Sequence, residues 1–235
     1  MTPLDKAREL LECADSIAVL TGAGISAESG IPTFRGPGGL WRNFRPEDLA
    51  TPEAFARNPE LVWEWYMWRR GLIASAQPNA AHRALANLQS VYSPFTLITQ
   101  NVDDLHERAG SKDTLKIHGD IWINCCTACD YEQTDTSTVY TRVPLCPRCD
   151  APLRPGVVWF GESLPGLVWQ SAFNAARYCR LLIVAGTSAQ VYPAAGLIAA
   201  RRAPTIEINL DDTPYSAAVT VSLRGSCGDI LPQLL

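Results

Sequence analysis

The sequence predicts an α/β protein built on a doubly wound parallel sheet, and three observations carry that expectation. Strand-like apolar runs recur at Ile17–Leu20, Phe95–Thr99, Leu181–Ala185 and Thr205–Asn209. Helical periodicity intervenes, notably at His82–Ser90 and Leu167–Tyr178. Strands that alternate with helices form βαβ units and pair in parallel. The third observation is what lies at the strand ends: Gly22–Ser26, Gln100–Asp103, Gly186–Ser188 and Asn209. In an open parallel sheet ligands bind at the carboxyl ends of the strands, so four distant segments converge on one rim.

Taken in order, Leu4, Ala7, Leu10, Leu11 and Ala14 recur at helical spacing and lead into the first strand. Gly22-x-Gly24-x-x-Ala27 follows it, a passable dinucleotide fingerprint in which glycines permit a tight turn and free N–H groups can face a phosphate. The usual acidic ribose partner is not supplied, since Glu47 and Asp48 sit in no strand-like run. Pro52 and Pro59 punctuate a helical stretch, and His82 opens a helix after Pro78-Asn79, where capping or packing is its expected role. His106 shares a charged helical face with Asp103, Asp104, Glu107 and Arg108 and is expected on the solvated surface. His118 ends the strand-like Leu115-Lys116-Ile117 and, taken alone, reads as a satisfied core histidine.

With 235 residues the chain can bury a full core. A net charge of −4 and a pI near 5.4 argue against a nucleic-acid surface as its main business, local pairs such as Arg69-Arg70 and Arg201-Arg202 notwithstanding. No apolar run is long enough to span a bilayer, and no basic or transit-like leader precedes the first helix. The expectation is a soluble, cytoplasmic protein of prokaryotic origin, with neither membrane nor nucleic acid as partner and with a monomer as the open reading of its oligomeric state. Cys126-x-x-Cys129 and Cys146-x-x-Cys149 form two knuckles around a ribbon-sized gap, a set that closes one structural zinc site. Cys125 is an alternative neighbouring ligand, whereas Cys13, Cys179 and Cys227 read as small buried apolar residues.

The run Thr21–Arg35 extends the glycine fingerprint through Gly30-Ile-Pro-Thr-Phe-Arg35. Together with Thr99-Gln100-Asn101-Val102-Asp103, Ile117-His118-Gly119, the two cysteine pairs, Gly186-Thr187-Ser188 and Ile208-Asn209, it resembles the sirtuins, NAD-dependent protein-lysine deacylases, in family order over nearly the whole chain. The resemblance implies a Rossmann-like NAD domain of residues 1–35, 78–121 and 156–235, a helical insertion at 36–77 and a zinc ribbon at 122–155. It implies that His118 is the general base: the acyl-lysine oxygen attacks the nicotinamide ribose, nicotinamide leaves, and His118 takes a ribose-hydroxyl proton before O-acyl-ADP-ribose and free lysine are released. It places Asp103 on the nicotinamide carboxamide, Asn101 and Gln100 on ribose, Phe34 over the reacting centre and Arg35 on phosphate charge. Gly22, Ala23, Gly24, Ser26, Ala27, Gly186, Thr187, Ser188, Asn209 and Cys227 complete the implied cofactor contacts. Many sirtuins carry a Glu two positions after that Asn; here the run is Leu210-Asp211-Asp212.

Val157-Val158-Trp159-Phe160-Gly161-Glu162 resembles the loop that takes an extended substrate by strand addition, with Val158 on the lysine amide and Phe160 along the lysine channel. Ala50, Tyr66 and Arg69 resemble the acyl pocket of class III sirtuins, which remove succinyl and malonyl groups. Three apart on a helix, Tyr66 and Arg69 share a face; without the resemblance they would be an amphipathic edge. Mono-ADP-ribosyl transfer and a zinc-ribbon NAD sensor without turnover are the competing expectations, as is a predominant deacetylase.

Overall fold

A computed structural model describes residues 1–33 and 45–235. Nine strands are described: β1 Ile17–Thr21, β2 Phe95–Thr99, β3 Leu115–Lys116, β4 Gly119–Cys126, β5 Glu132–Thr134, β6 Leu153–Val157, β7 Leu181–Ala185, β8 Thr205–Asn209 and β9 Val221–Arg224. The helices are α1 Pro3–Glu12, α2 Gly24–Ala27, α3 Pro46–Leu49, α4 Pro52–Arg57, α5 Pro59–Ser75, α6 Ala80–Val91, α7 Leu105–Arg108, α8 Gly166–Tyr178, α9 Ala195–Ala200 and α10 Cys227–Ile230, with a last 3₁₀ turn at Leu231–Leu234. None of the described helices is long and apolar enough to cross a membrane.

Six strands form one sheet in the order β3-β2-β1-β7-β8-β9, every neighbour parallel. All five residues of β1 and of β7 are buried, as both-faced burial requires in a parallel sheet. Their side chains alternate between two cores. Ile17, Val19, Leu181 and Ile183 pack with Ala7 and Leu11 of α1, Leu85 and Leu88 of α6, and Leu231. Ala18, Leu20, Leu182 and Val184 pack with Ala172 and Ala176 of α8 and with Leu197 and Ile198 of α9. The fold is therefore the expected Rossmann-like α/β architecture. The two-residue β3 falls on the strand-like Leu115-Lys116-Ile117, and strand β9 extends the sheet beyond the runs legible in the sequence.

The second sheet is antiparallel, in the order β5-β4-β6. It packs against α3–α5 through a third core that includes Leu49, Phe55, Trp63, Trp65, Ile121, Trp122 and Trp159. Helix α5 starts cleanly because Asn58 caps it, its Oδ1 accepting from Leu61 N, with Pro59 in the first turn. Arg70 is wholly buried where α5 meets β4. It donates through Nε to Ile121 O at 2.8 Å and through Nη2 to Asn124 Oδ1 at 2.8 Å, between the rings of Trp63 and Trp122. One guanidinium thus links the helical module to the ribbon.

Candidate functional site

The site begins where β1 and β7 end on the same rung, Thr21 beside Ala185. Past that rung the two loops interlock: Gly22 N donates to Ala185 O at 3.1 Å, and Gly24 N to Gly186 O at 2.8 Å. A Cβ at Gly24 would stand 2.8 Å from Gly186 O. One at Gly186, whose φ is +63°, would stand 2.4 Å from Ile25 N. Glycine at both positions is a steric requirement of this contact.

Behind the loops lies a buried polar cluster. Ser26, Asn101 and Asp103 are at most 6% exposed. Ser26 Oγ donates to Asp103 Oδ2 at 3.1 Å and accepts from Asn101 Nδ2 at 3.1 Å. Asp103 Oδ1 accepts from Leu105 N, and burial pushes the Asp103 carboxyl above its ordinary value. His82 caps α6 with Asn79 and turns Nε2 toward Ser26 Oγ at 3.4 Å. Gln100 Nε2 donates to Thr187 Oγ1 at 3.0 Å, joining the β2 and β7 rims. Ser188 is exposed on that rim, as is Ala27 at the end of α2, and Ala23 is half-buried beside the glycines. Asn209 turns its Nδ2 to Asp211 O at 3.0 Å. Cys227 is buried under β8, its thiol pushed up to about 12 by burial. Phe34 and Arg35 lie outside the described residues.

His118 is half-buried between β3 and β4. Its Nδ1 lies 2.9 Å from Gln100 O, and a carbonyl only accepts, so the proton sits on Nδ1 and Nε2 is an acceptor. Burial holds its pKa below the ordinary imidazole value despite that hydrogen bond. Its own carbonyl accepts from Val158 N at 2.9 Å, which fastens the 157–162 loop to the histidine. Phe160, half-exposed, donates its backbone N–H to Ala50 O at 2.9 Å. Tyr66 and Arg69 are buried on one face of α5, and the guanidinium carbon stands 5.5 Å from the Tyr66 ring centre. Burial raises the phenol pKa and lowers that of the guanidinium.

Cys126, Cys129, Cys146 and Cys149 bring their Sγ atoms within 4.8 Å of one another. The closest contacts are 3.5–3.7 Å. Four thiolates at about 2.3 Å from one ion would be separated by close to that spacing, so the donor set fits structural zinc. Cys125 turns instead to Glu132 Oε1 at 3.4 Å.

Three side chains depart from the sequence expectation. His106 is 1% exposed rather than solvated, with Nε2 3.0 Å from Thr21 Oγ1, because the single-turn α7 tucks beneath the rim. Cys13 is exposed and Cys179 half-buried rather than both buried, since Cys13 caps the end of α1 at the surface. Trp159 lies within the Val157–Glu162 run, which does not single it out, and Arg70, which joins α5 to β4, carries no sequence signal beyond its basic character. Glu207 is likewise buried on β8, held by Ser216, Ser222 and Arg224.

A six-stranded parallel sheet with a glycine interlock at its switch point and a four-thiolate ribbon define a nucleotide-binding α/β protein carrying a structural metal site. The model of the Sir2 family matches residues 22–193, and this chain belongs to the Sir2 family. It is 54% identical to an NAD-dependent protein deacylase of Aquifex aeolicus over 205 residues, 86% of either chain. It is 48% identical to NAD-dependent protein deacylase 1 of Archaeoglobus fulgidus, across 93% of this chain and 91% of that one. A solved Sir2 homologue in complex with NAD superposes with a TM-score of 0.92 at 46% identity, across 98% of this chain and 91% of that one. A Sir2 structure with a deacetylated p53 peptide and 3′-O-acetyl ADP-ribose gives 0.89 at 31% identity, across 98% and 96%.

Proposed function

We propose that this protein is an NAD-dependent protein-lysine deacylase that removes succinyl and malonyl, and also acetyl, groups from lysine in polypeptides. The observation that carries the reading is the neutral Nε2 of His118, set by the Nδ1 contact to Gln100 O and placed beside the loop joined to it through Val158 N.

Bound NAD supplies an electrophilic ribose carbon with nicotinamide as leaving group. In this reading Gly22, Gly24, Gly186, Thr187 and Ser188 would meet its phosphates, and Gln100, Asn101 and Asn209 its ribose. Asp103, braced by Ser26, would accept from the carboxamide. His118 Nε2 takes the proton from a ribose hydroxyl, and burial keeps that nitrogen unprotonated at neutral pH. Val158 and Phe160 would hold the extended substrate and its lysine. Cys126, Cys129, Cys146 and Cys149 would hold zinc that braces the ribbon and takes no part in proton transfer. Residues 36–77 and 122–155 act, in this reading, as insertions into the NAD domain.

The class III reading rests on Tyr66 and Arg69. A phenol and a guanidinium, buried together, offer a neutral donor and a planar charged fork, which suits a carboxylate at the far end of a short acyl chain. Ala50, whose carbonyl accepts from Phe160 N, is small enough that it would leave room for the longer acyl chain. The test is mass spectrometry of one incubation holding NAD and a succinyl-lysine peptide. Nicotinamide, free lysine and O-succinyl-ADP-ribose should appear in equal amounts. ADP-ribosylated peptide instead would establish the transferase alternative, and no NAD consumption would leave only a sensor.

A further inference from the structure

The 157–162 loop does more than border the lysine channel. Trp159 points the opposite way from Phe160: it is 3% exposed, whereas Phe160 is half-exposed. Its indole Nε1 reaches across to Tyr66 Oη at 2.9 Å. An indole N–H only donates, so the phenol oxygen is the acceptor in this pair and the Tyr66 hydrogen is turned away from the ring of Trp159. Among the described residues that hydrogen meets no acceptor, although Tyr66 is 2% exposed. A buried hydroxyl with its donor unspent is one that a ligand oxygen can satisfy.

Trp159 is itself held on several sides. Its backbone N–H donates to Glu162 Oε2 at 2.7 Å. The same Glu162 oxygen accepts from Arg154 Nη2 at 2.9 Å, and the Arg154 guanidinium carbon lies 3.5 Å from the indole centre. Arg154 Nη2 also donates to Val157 O, and the Phe55 ring packs on the indole at 5.4 Å.

We propose that Trp159 is a specificity-determining positioning residue, which orients the Tyr66 hydroxyl toward the distal carboxylate of a dicarboxylic acyl group and so joins polypeptide recognition to acyl recognition within one loop. The proposal rests on the class III reading above. The donated indole hydrogen bond also polarises the phenol, making its O–H a better donor to an anion. Arg154 and Glu162 act behind it, holding the indole plane in place.

The test compares succinyl-lysine and acetyl-lysine forms of one peptide at saturating NAD, using the full chain with its metal. Trp159→Phe keeps a ring and deletes the N–H. It should lower the ratio of succinyl to acetyl kcat/KM by about three- to tenfold, the worth of one neutral hydrogen bond, through KM for the succinyl peptide. Replacing Trp159 by 3-benzothienylalanine removes the donor at nearly constant shape and should give the same ratio even if the phenylalanine variant folds poorly. In Tyr66→Phe the phenol is gone, so adding Trp159→Phe should change the ratio little further. Equal loss on both substrates, or a double variant whose effects simply add, would overturn the role of Trp159. If Tyr66→Phe itself leaves the ratio unchanged, the acyl clamp is absent and the proposal falls with it.

Discussion

The carbonyl oxygen of Gln100 stands 2.9 Å from Nδ1 of His118, and that one contact decides which imidazole nitrogen can accept a proton. Gln100 also reaches Thr187 with its side chain, so the residue that sets the tautomer spans the β2 and β7 rims.

A pH dependence follows. The pKa of His118 is lowered by burial, and the proposed base works only when deprotonated. Deacylation should therefore be constant through neutrality and fall on the acid side, with its limb below the ordinary imidazole value near 6.5. His118→Ala should cost several decades of rate with the melting temperature nearly unchanged. A pH–rate profile with its limb above 6.5, or an Ala variant of normal rate, contradicts the assignment.

The ribbon should hold one zinc per chain. Binding in comparable small sites is worth on the order of 10 kcal/mol, so chelation should lower the melting temperature and the activity together. Cys146→Ser, at the most buried of the four thiols, should abolish stoichiometric metal by elemental analysis.

Arg69→Met keeps an apolar stem and removes the fork. Loss of a charge-assisted contact should raise KM for a succinyl peptide by about ten- to hundredfold, with a much smaller change for an acetyl peptide that does not reach the clamp. The measured quantity is the ratio of the two kcat/KM values. Equal depression of both substrates would make Arg69 structural.

Arg70→Met should act on stability instead. It leaves Ile121 O and Asn124 Oδ1 buried without their donor, at a cost of about 2–4 kcal/mol. Urea unfolding should show that loss. Arg70→Lys should recover only part of it, because a point cation cannot reproduce the fork.

The paired rings of His82 and His106, 4.9 Å apart and both buried, predict acid sensitivity. Burial holds their pKa values at about 4 and about 3. Between those values and 6.5 the unfolded chain binds more protons than the folded one, so stability falls as pH drops through that window and is fully present above it. His82 alone accounts for on the order of 3 kcal/mol. His106→Gln should flatten the slope of unfolding free energy between pH 6.5 and 4, and an unchanged slope would contradict this reading.

Much of the fold is legible because strands such as Leu181–Ala185 are short, apolar on both faces and bounded by glycine or polar residues. Strand β9 is not: four residues with Val221 and Leu223 inward give too short an alternation to stand out from a loop. In the site, the cysteine set is legible because a metal imposes a spacing on its ligands. The Trp159–Tyr66 bond joins residues 93 apart, and periodicity, which reads Tyr66 only as the edge of an amphipathic helix, does not say which side chains meet. His106 misleads for a related reason. Its charged neighbours suggest an exposed face, but α7 has only four residues and the rim above it covers the ring.

Strand β4 begins one residue after His118 and ends on Cys126, so a single extended segment of eight residues, about 25 Å long, runs from the proposed base to the cysteine cluster. The two ends share a beam but no chemistry. A reagent that strips the ion acts at the far abutment and makes no direct contact with His118. What reaches His118 is slack in the beam, so the resulting loss of rate should be graded rather than complete, and should reverse once the ion is restored.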